Sequence, residues 1–480
     1  MRYGAILALA VMVLLHFPHG ARAQINTGTI LGTVMDPTGA VIPNAEVTIT
    51  HQELRTSVKV TTDATGSYIA PALQPGPYEL RVTAPGFQTA IRSNIILHVQ
   101  ERLRVDVTLQ PGMITEELVI TETVPILQTQ SADVGAVVEQ RRIVDLPLDG
   151  RRYSDLILLA PGAVPTPSGG NPREAKINVN GNFSLQNYFA LNGVDNNSFS
   201  TNAQERSPQV VQPPPDALRE FRVQTRTYNA EFGWFQGAVI NAEIRSGSNT
   251  VHGTAWWFHR NDDLDAADFF SNAAGRRPDG SRVIPKGEFL RNQAGFAIGG
   301  PIRRDRTFWF FDYQGLRSRR ETTLTGTVPT AKMRQGDFSE RPVLTAPPDF
   351  LSVIAPCVSP PNRLNLNALR TDGRPCADPV GMKLATLYPL PNAPGISPFT
   401  FVSSINIPTN NDSFDARLDH RIGEKDLIFG VYDFFDERAM IERGPFPNPL
   451  ATGGFSANSE VRGQVLSFTW DHTFSPESAQ

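Results

Sequence analysis

Asp412-Ser-Phe-Asp-Ala-Arg-Leu-Asp-His-Arg421 decides the fold of the C-terminal half. Phe414, Ala416 and Leu418 fall on one face of an extended chain, with Asp415, Arg417, Asp419 and Arg421 on the other. Successive strand side chains point to opposite faces, so this run suits lipid on one side and a water-filled lumen on the other. Gly423-Glu-Lys-Asp426 reads as a turn, after which Leu427, Phe429 and Val431 are expected to continue the outward apolar set. Leu466, Phe468 and Trp470 repeat it against Ser467, Thr469 and Asp471. In Ala294-Gly-Phe-Ala-Ile-Gly299 bulky residues alternate with small ones, which lets a packed body approach the small face closely. Trp256, Trp257, Trp309 and Tyr313 are expected in an interfacial aromatic belt.

The N-terminus sets the compartment. Arg2, an apolar core from Ala5 to Phe17 and Ala21-Arg22-Ala23 form an export signal over residues 1–23, with cleavage between Ala23 and Gln24. No later stretch approaches the ~20 apolar residues of a membrane helix. Signal and alternating strands together point to a bacterial outer membrane. A net charge of −4 argues against nucleic acid as a partner, and 39 prolines with 38 glycines favour β architecture over long helices.

Residues 24–112 read as a β-sandwich. Ile30, Gly32 and Val34 alternate with polar or outward residues, as do Ala45, Val47 and Ile49, and Leu103, Val105, Val107 and Leu109. Asp36-Pro-Thr-Gly39, Asp63-Ala-Thr-Gly66 and Gln74-Pro-Gly76 supply the turns. GTILGTVMDPTGAVIPNAEVTI and TTDATGSYIAPALQPGPYELRVTAPGF resemble the carboxypeptidase regulatory-like domain, which implies a transthyretin-like module of carbohydrate-binding-like fold without peptidase chemistry.

Residues 113–122 hold Leu118, Val119 and Ile120 flanked by acids, with no partner strand close by in sequence. The run Glu117, Leu118, Val119, Ile120 and Thr121 is similar to the TonB box, which pairs by β-augmentation with the energising protein in the periplasm. Residues 123–250 mix helix and strand signals. Asp149 to Ala160 reads as a short helix, Asp216 as a turn cap before a strand at Phe221–Thr225, and Ala238 to Ile244 as another strand. VDLPLDGRRYSDLILLAPG, YFALNGVDNN and DALREFRVQTRTYNAEFGWFQGAVINAEIRSGSNTVHGTAWWFHRNDDLDAADFF resemble the Oar-like TonB-dependent receptors, and the likeness runs on through RNQAGFAIGGPIRRDRTFWFFDYQG and RLDHRIGEKDLIFGVYDFF. It implies an α+β plug over 123–250 and the first strands of a barrel over 251–480. It also implies a TonB-type energising protein, outer-membrane lipid and an extracellular ligand as partners. Glu243 departs from the usual apolar strand and suggests a wetter plug–barrel interface.

Pro329 to Asn411 reads as an external loop without strands, holding Cys357 and Cys376. In an exported chain these are expected to form a disulfide worth roughly 3 kcal/mol by loop entropy. No HExxH, GxSxG, Walker loop or metal-spaced Cys/His set occurs, so neither an enzyme nor a cofactor is expected. Asp262, Asp263, Asp265 and Asp268 read as a solvated periplasmic turn or rim.

The fold class is therefore mainly β: sandwich, α+β plug and an incomplete antiparallel transmembrane barrel. About seven strands fit between Val251 and Gln480, whereas plugged transporters use ~22. An N-terminal portion of a longer receptor for an unidentified ligand is expected. The alternative is a surface binding or adhesion protein, with carbohydrate among its potential ligands, that does not transport.

Overall fold

The computed structural model describes residues 27–112, 117–120, 134–166, 177–198, 207–228, 235–340, 352, 355–359, 363–365, 368–393, 396–423, 425–441, 457–475 and 478–479. The expected cleavage site between Ala23 and Gln24 lies outside them, as does Thr121.

The alternating N-terminal runs form β1 (Gly28–Met35), β2 (Glu46–His51), β3 (Ser57–Thr61), β4 (Ser67–Leu73), β5 (Gly76–Thr83), β6 (Thr89–Leu97), β7 (Arg102–Arg104), β8 (Val107–Thr108) and β9 (Glu117–Ile120). One sheet runs β4-β1-β7, with β8 also on β1; the other runs β3-β2-β5-β6-β9. Ile30, Val34, Val47, Ile49, Leu80 and Leu103 meet in one core. Each such side chain contributes about 1.5–3 kcal/mol on burial. Gly32 is required where the sheet crowds, because a Cβ there would lie 2.0 Å from the Val105 carbonyl oxygen. The β9 run has a partner after all: it adds in parallel to β6, with Thr89 opposite Glu117 and Arg92 opposite Ile120. A parallel partner some 28 positions upstream leaves no local trace in the sequence.

Next come β10 (Val134–Glu139), β11 (Ala163–Pro165), β12 (Ile177–Val179), β13 (Tyr188–Leu191), β14 (Val194–Asp195), β15 (Leu218–Arg226) and β16 (Val239–Ile244). Five of them make a sheet in the order β10-β15-β16-β13-β14. The helix expected from Gly150 is a tighter 3-10 turn at Tyr153–Leu159, and its buried Tyr153, Leu156 and Ile157 join Phe221, Val223 and Ile240 in the plug core.

The wall is built from β17 (His252–Asn261), β18 (Phe289–Arg303), β19 (Thr307–Thr327), then, past the small β20 (Val358–Ser359) and β21 (Arg363–Leu364), β22 (Thr400–Ile422), β23 (Asp426–Ile441), β24 (Ala457–Ser475) and β25 (Ser478–Ala479). They form one meander, β17-β18-β19-β22-β23-β24-β25. The β18–β19 and β22–β23 hairpins turn within three residues at one end, while the β17–β18 and β19–β22 connections, of 27 and 72 residues, leave from the other. Outer-membrane barrels keep short turns periplasmic and long loops outside. The sandwich sits at the short-turn end, where Arg421 donates to the Ser57 carbonyl at 3.2 Å and Asn249 to that of Leu54 at 2.8 Å.

Several expectations need correction. The loop placed at 329–411 is shorter, because β22 begins at Thr400. β19 and β22 have 21 and 23 residues, about twice what a bilayer needs, so their outer halves extend past its thickness. The acidic turn at Asp262–Asp268 lies at the long-loop end and not the periplasmic one. Phe429 and Val431 point inward: they pair with Asp419 and Arg417 and are 1% and 0% exposed within the plug core. Trp256 also turns inward against that core, as it must when its neighbour Trp257 is 70% exposed on the other face. Leu466, Phe468 and Trp470 do face outward.

Candidate functional site

The lumen side of the wall is occupied by the plug, so the charged row of β22 is dry. Asp415, Arg417 and Asp419 are 1%, 3% and 2% exposed. Arg417 binds Asp419 at 2.9 Å, Glu243 of plug strand β16 at 3.2 Å and the Ile244 carbonyl at 2.5 Å, and it lies 4.6 Å from the centre of the Phe429 ring. Asp419 in turn accepts from Ser246 of the plug at 3.0 Å and from Gln74 of the sandwich at 3.3 Å. One wall carboxylate thus touches all three bodies. Glu243 is not a wet position but one arm of this buried ion pair, and burial pushes its carboxyl up to about 7 against the pull of Arg417. Asp312, Asp415 and Asp433 extend the polar face, aligned across β19, β22 and β23.

The small face of β18 lets the plug come close, as its alternation implied. Ala297 joins the plug core, and at Gly299 a Cβ would lie 3.3 Å from the Cα of Gly247 of the plug.

The sandwich grips the plug through the connection between β6 and β7. Glu220 of β15 accepts from the Val99 amide and from His98 Nδ1, the latter at 2.8 Å, while Arg222 donates to the carbonyls of Val99 and Gln100 at 3.1 and 3.2 Å. Burial lowers the His98 imidazole, but the hydrogen bond and charge of Glu220, with Glu101 and Glu139 beyond, outweigh it and raise its pKa.

Above the plug lies a solvent-open lumen of about 1190 Å³, lined by Tyr153 and Gln212 of the plug and by Arg320, Thr322, Asn411 and Glu437 of the wall. At its floor Arg151, with a left-handed φ of 52°, pairs with Asp216, donates to Gln314 of β19 at 3.3 Å and lies 5.0 Å from the Trp256 ring. The sequence reading placed this turn only as a helix start; Asp149-Gly150 before two arginines was the available signal.

Of the residues singled out in the sequence, Glu117, Leu118, Val119 and Ile120 form β9, the last strand in its sheet order, with β6 on one edge. Cys357 and Cys376 are joined, with 5.6 Å between Cα atoms, in the long external connection between β19 and β22. No group of metal-ligating side chains forms among the described residues.

Residues 29–110 match the carboxypeptidase regulatory-like domain, and residues 243–479 match the outer membrane beta barrel domain. The TonB-dependent transporter Oar of Myxococcus xanthus is 32% identical over 315 residues, which is 61% of this chain and 27% of that protein. The chain thus spans about a quarter of that relative's length. Among solved structures, the outer membrane transporter YddB from Escherichia coli superposes with a TM-score of 0.44 at 12% identity, covering 71% of this chain and 37% of the other. A ferric enterobactin receptor from Pseudomonas aeruginosa gives a TM-score of 0.41 at 13% identity, covering 72% and 38%.

Proposed function

We propose that this chain, an Oar-like protein of the TonB-dependent outer-membrane transporter family, captures an extracellular ligand above its plug and releases it inward when a TonB-type protein pulls on β9. The observation that carries the reading is the plug packed on the inner face of the wall through Arg417, Glu243 and Asp419. The open lumen above gives the ligand a place to bind, and the plug below blocks its passage. The seven-stranded sheet serves here as part of a larger wall, since an open sheet in lipid would leave unpaired edge groups costing several kcal/mol each.

In this reading β9 leaves β6 and offers the freed edge to a strand of the energising protein. Proline removes a backbone donor, so Leu118→Pro with Ile120→Pro blocks strand addition. The test is site-specific cross-linking between residues 117–120 and the periplasmic domain of a TonB protein from the same cell. Cross-linking is expected in the unchanged chain and lost in the double variant; full cross-linking in the variant sinks the box assignment. A chain that never cross-links would act at the surface as a binding protein without transport.

A further inference from the structure

On the lumen wall Arg260 of β17 stands directly opposite Arg291 of β18. Two like charges at opposed positions on neighbouring strands destabilise the pair, unless something holds them there. Two things do. The ring of Phe289 faces both, its centre 5.1 Å from the Arg260 guanidinium and 5.6 Å from that of Arg291. The carboxylate of Asp149, from the plug, bonds Arg291 and lies 3.7 Å from Arg260. Asp265 adds a contact to Arg260 at 3.6 Å.

Asp149 is a poor permanent counter-ion. Its side chain is 71% exposed at the floor of the lumen, whereas the Arg291 side chain is 22% exposed. It sits at a tight turn, followed by Gly150 at φ 82° and Arg151 at φ 52°, whose other contacts run to Gln293, Gln314 and Asp216. The hydrogen bond from Arg291 holds the Asp149 carboxyl below its usual range, so it remains an anion at neutral pH. A solute anion entering from outside meets the same two guanidiniums.

We propose that Arg260 and Arg291, braced by Phe289, form a subsite for a carboxylate or phosphate group on the ligand, and that Asp149 occupies it in the unliganded protein as a tethered competitor. Planar guanidiniums suit the bidentate recognition of both anions. Displacing Asp149 removes one of the three ties between the plug turn at 149–152 and the wall, leaving the bonds of Gly150 to Gln293 and of Arg151 to Gln314, so occupancy of the lumen reaches the plug through one exchanged ion pair. The biological use of the subsite rests on the capture reading above, but anion binding does not.

The test is calorimetric titration of the full chain, folded in detergent, with citrate and with inorganic phosphate at constant ionic strength. Asp149→Asn removes the competitor, and affinity for at least one anion is expected to rise on the order of tenfold. Adding Arg291→Gln is expected to abolish that gain. The anion that gains names the ligand group. In the unchanged chain, saturation with that anion is expected to speed amide exchange at Gly150 and Arg151, a readout that does not depend on the variants folding. Equal affinities in the parent and Asp149→Asn chains, or unaltered exchange at saturation, overturn the proposal. Neither measurement needs an energising partner, so failure of cross-linking at β9 leaves this result standing, and failure here leaves the β9 reading standing.

Discussion

The sandwich core and the plug–wall junction bury side chains equally well but with opposite chemistry. In the sandwich, Ile30, Val47, Ile49 and Leu80 are 0% exposed in an apolar cluster. At the junction, Arg417, Asp419 and Glu243 are 3% exposed or less and are held by charge-assisted hydrogen bonds. Hydrophobic burial is non-directional and favours a body that stays assembled. A buried ion pair adds little net stability over an apolar replacement, because desolvation offsets the attraction, yet it is strongly unfavourable when only half made. A junction of that kind has one register, and its groups recover their hydration when water enters. The difference suits a body that stays assembled on one side and, in the proposed cycle, one that is withdrawn on the other.

The largest effect should come from breaking the junction on one side only. Arg417→Met leaves Glu243 and Asp419 buried without their cation, at a cost of about 3–5 kcal/mol. Protease cleavage within the plug should then accelerate by about a hundredfold or more where it tracks the open population, while the sandwich remains intact. Leu80→Ala is the converse: it should destabilise the sandwich by about 2–5 kcal/mol and leave plug cleavage unchanged. If each variant affects both bodies equally, the distinction between them fails.

A smaller effect is expected from pH. The Glu243 carboxyl titrates near 7 in the packed plug, against an ordinary value of 4.5. Its raised value means that the packed state binds the proton more tightly than a withdrawn, solvated plug does. This contribution is complete below pH 4.5 and is lost as pH rises towards 7, amounting to about 3 kcal/mol at most. Plug cleavage should therefore speed up between pH 5 and 7.5, and Glu243→Gln should flatten the profile. A wild-type slope retained in Glu243→Gln would assign the dependence to other groups.

How much of this was legible depended on whether the two faces of a strand differ. The sandwich strands and Leu466, Phe468 and Trp470 were readable because one face is apolar and the other polar. In β23 both faces are apolar, with Phe429 and Val431 against the plug and Ile428, Tyr432 and Phe434 on the opposite face, so alternation carried no phase. The first half of β22 failed because Phe401, Val402, Ile405 and Ile407 are divided between its two faces among polar residues, so neither face stood out. At the junction the residue types of Asp415, Arg417 and Asp419 were plain, but they fit a water-filled lumen as well as a packed one. Only the position of β16 against them distinguishes the two. The parallel pairing of β9 with β6 and the opposition of Arg260 to Arg291 are likewise products of tertiary register.

In the proposed cycle β9 must leave β6 for the pull of the partner to reach the plug. Ile91 and Val119 are opposed across the two strands. A chain carrying Ile91→Cys and Val119→Cys can be locked by oxidation, and plug cleavage can be followed with the TonB-type partner energised. Faster cleavage is expected in the reduced chain, with none of that acceleration in the oxidised chain and its return on adding reductant. Equal acceleration in the locked and unlocked chains would contradict it.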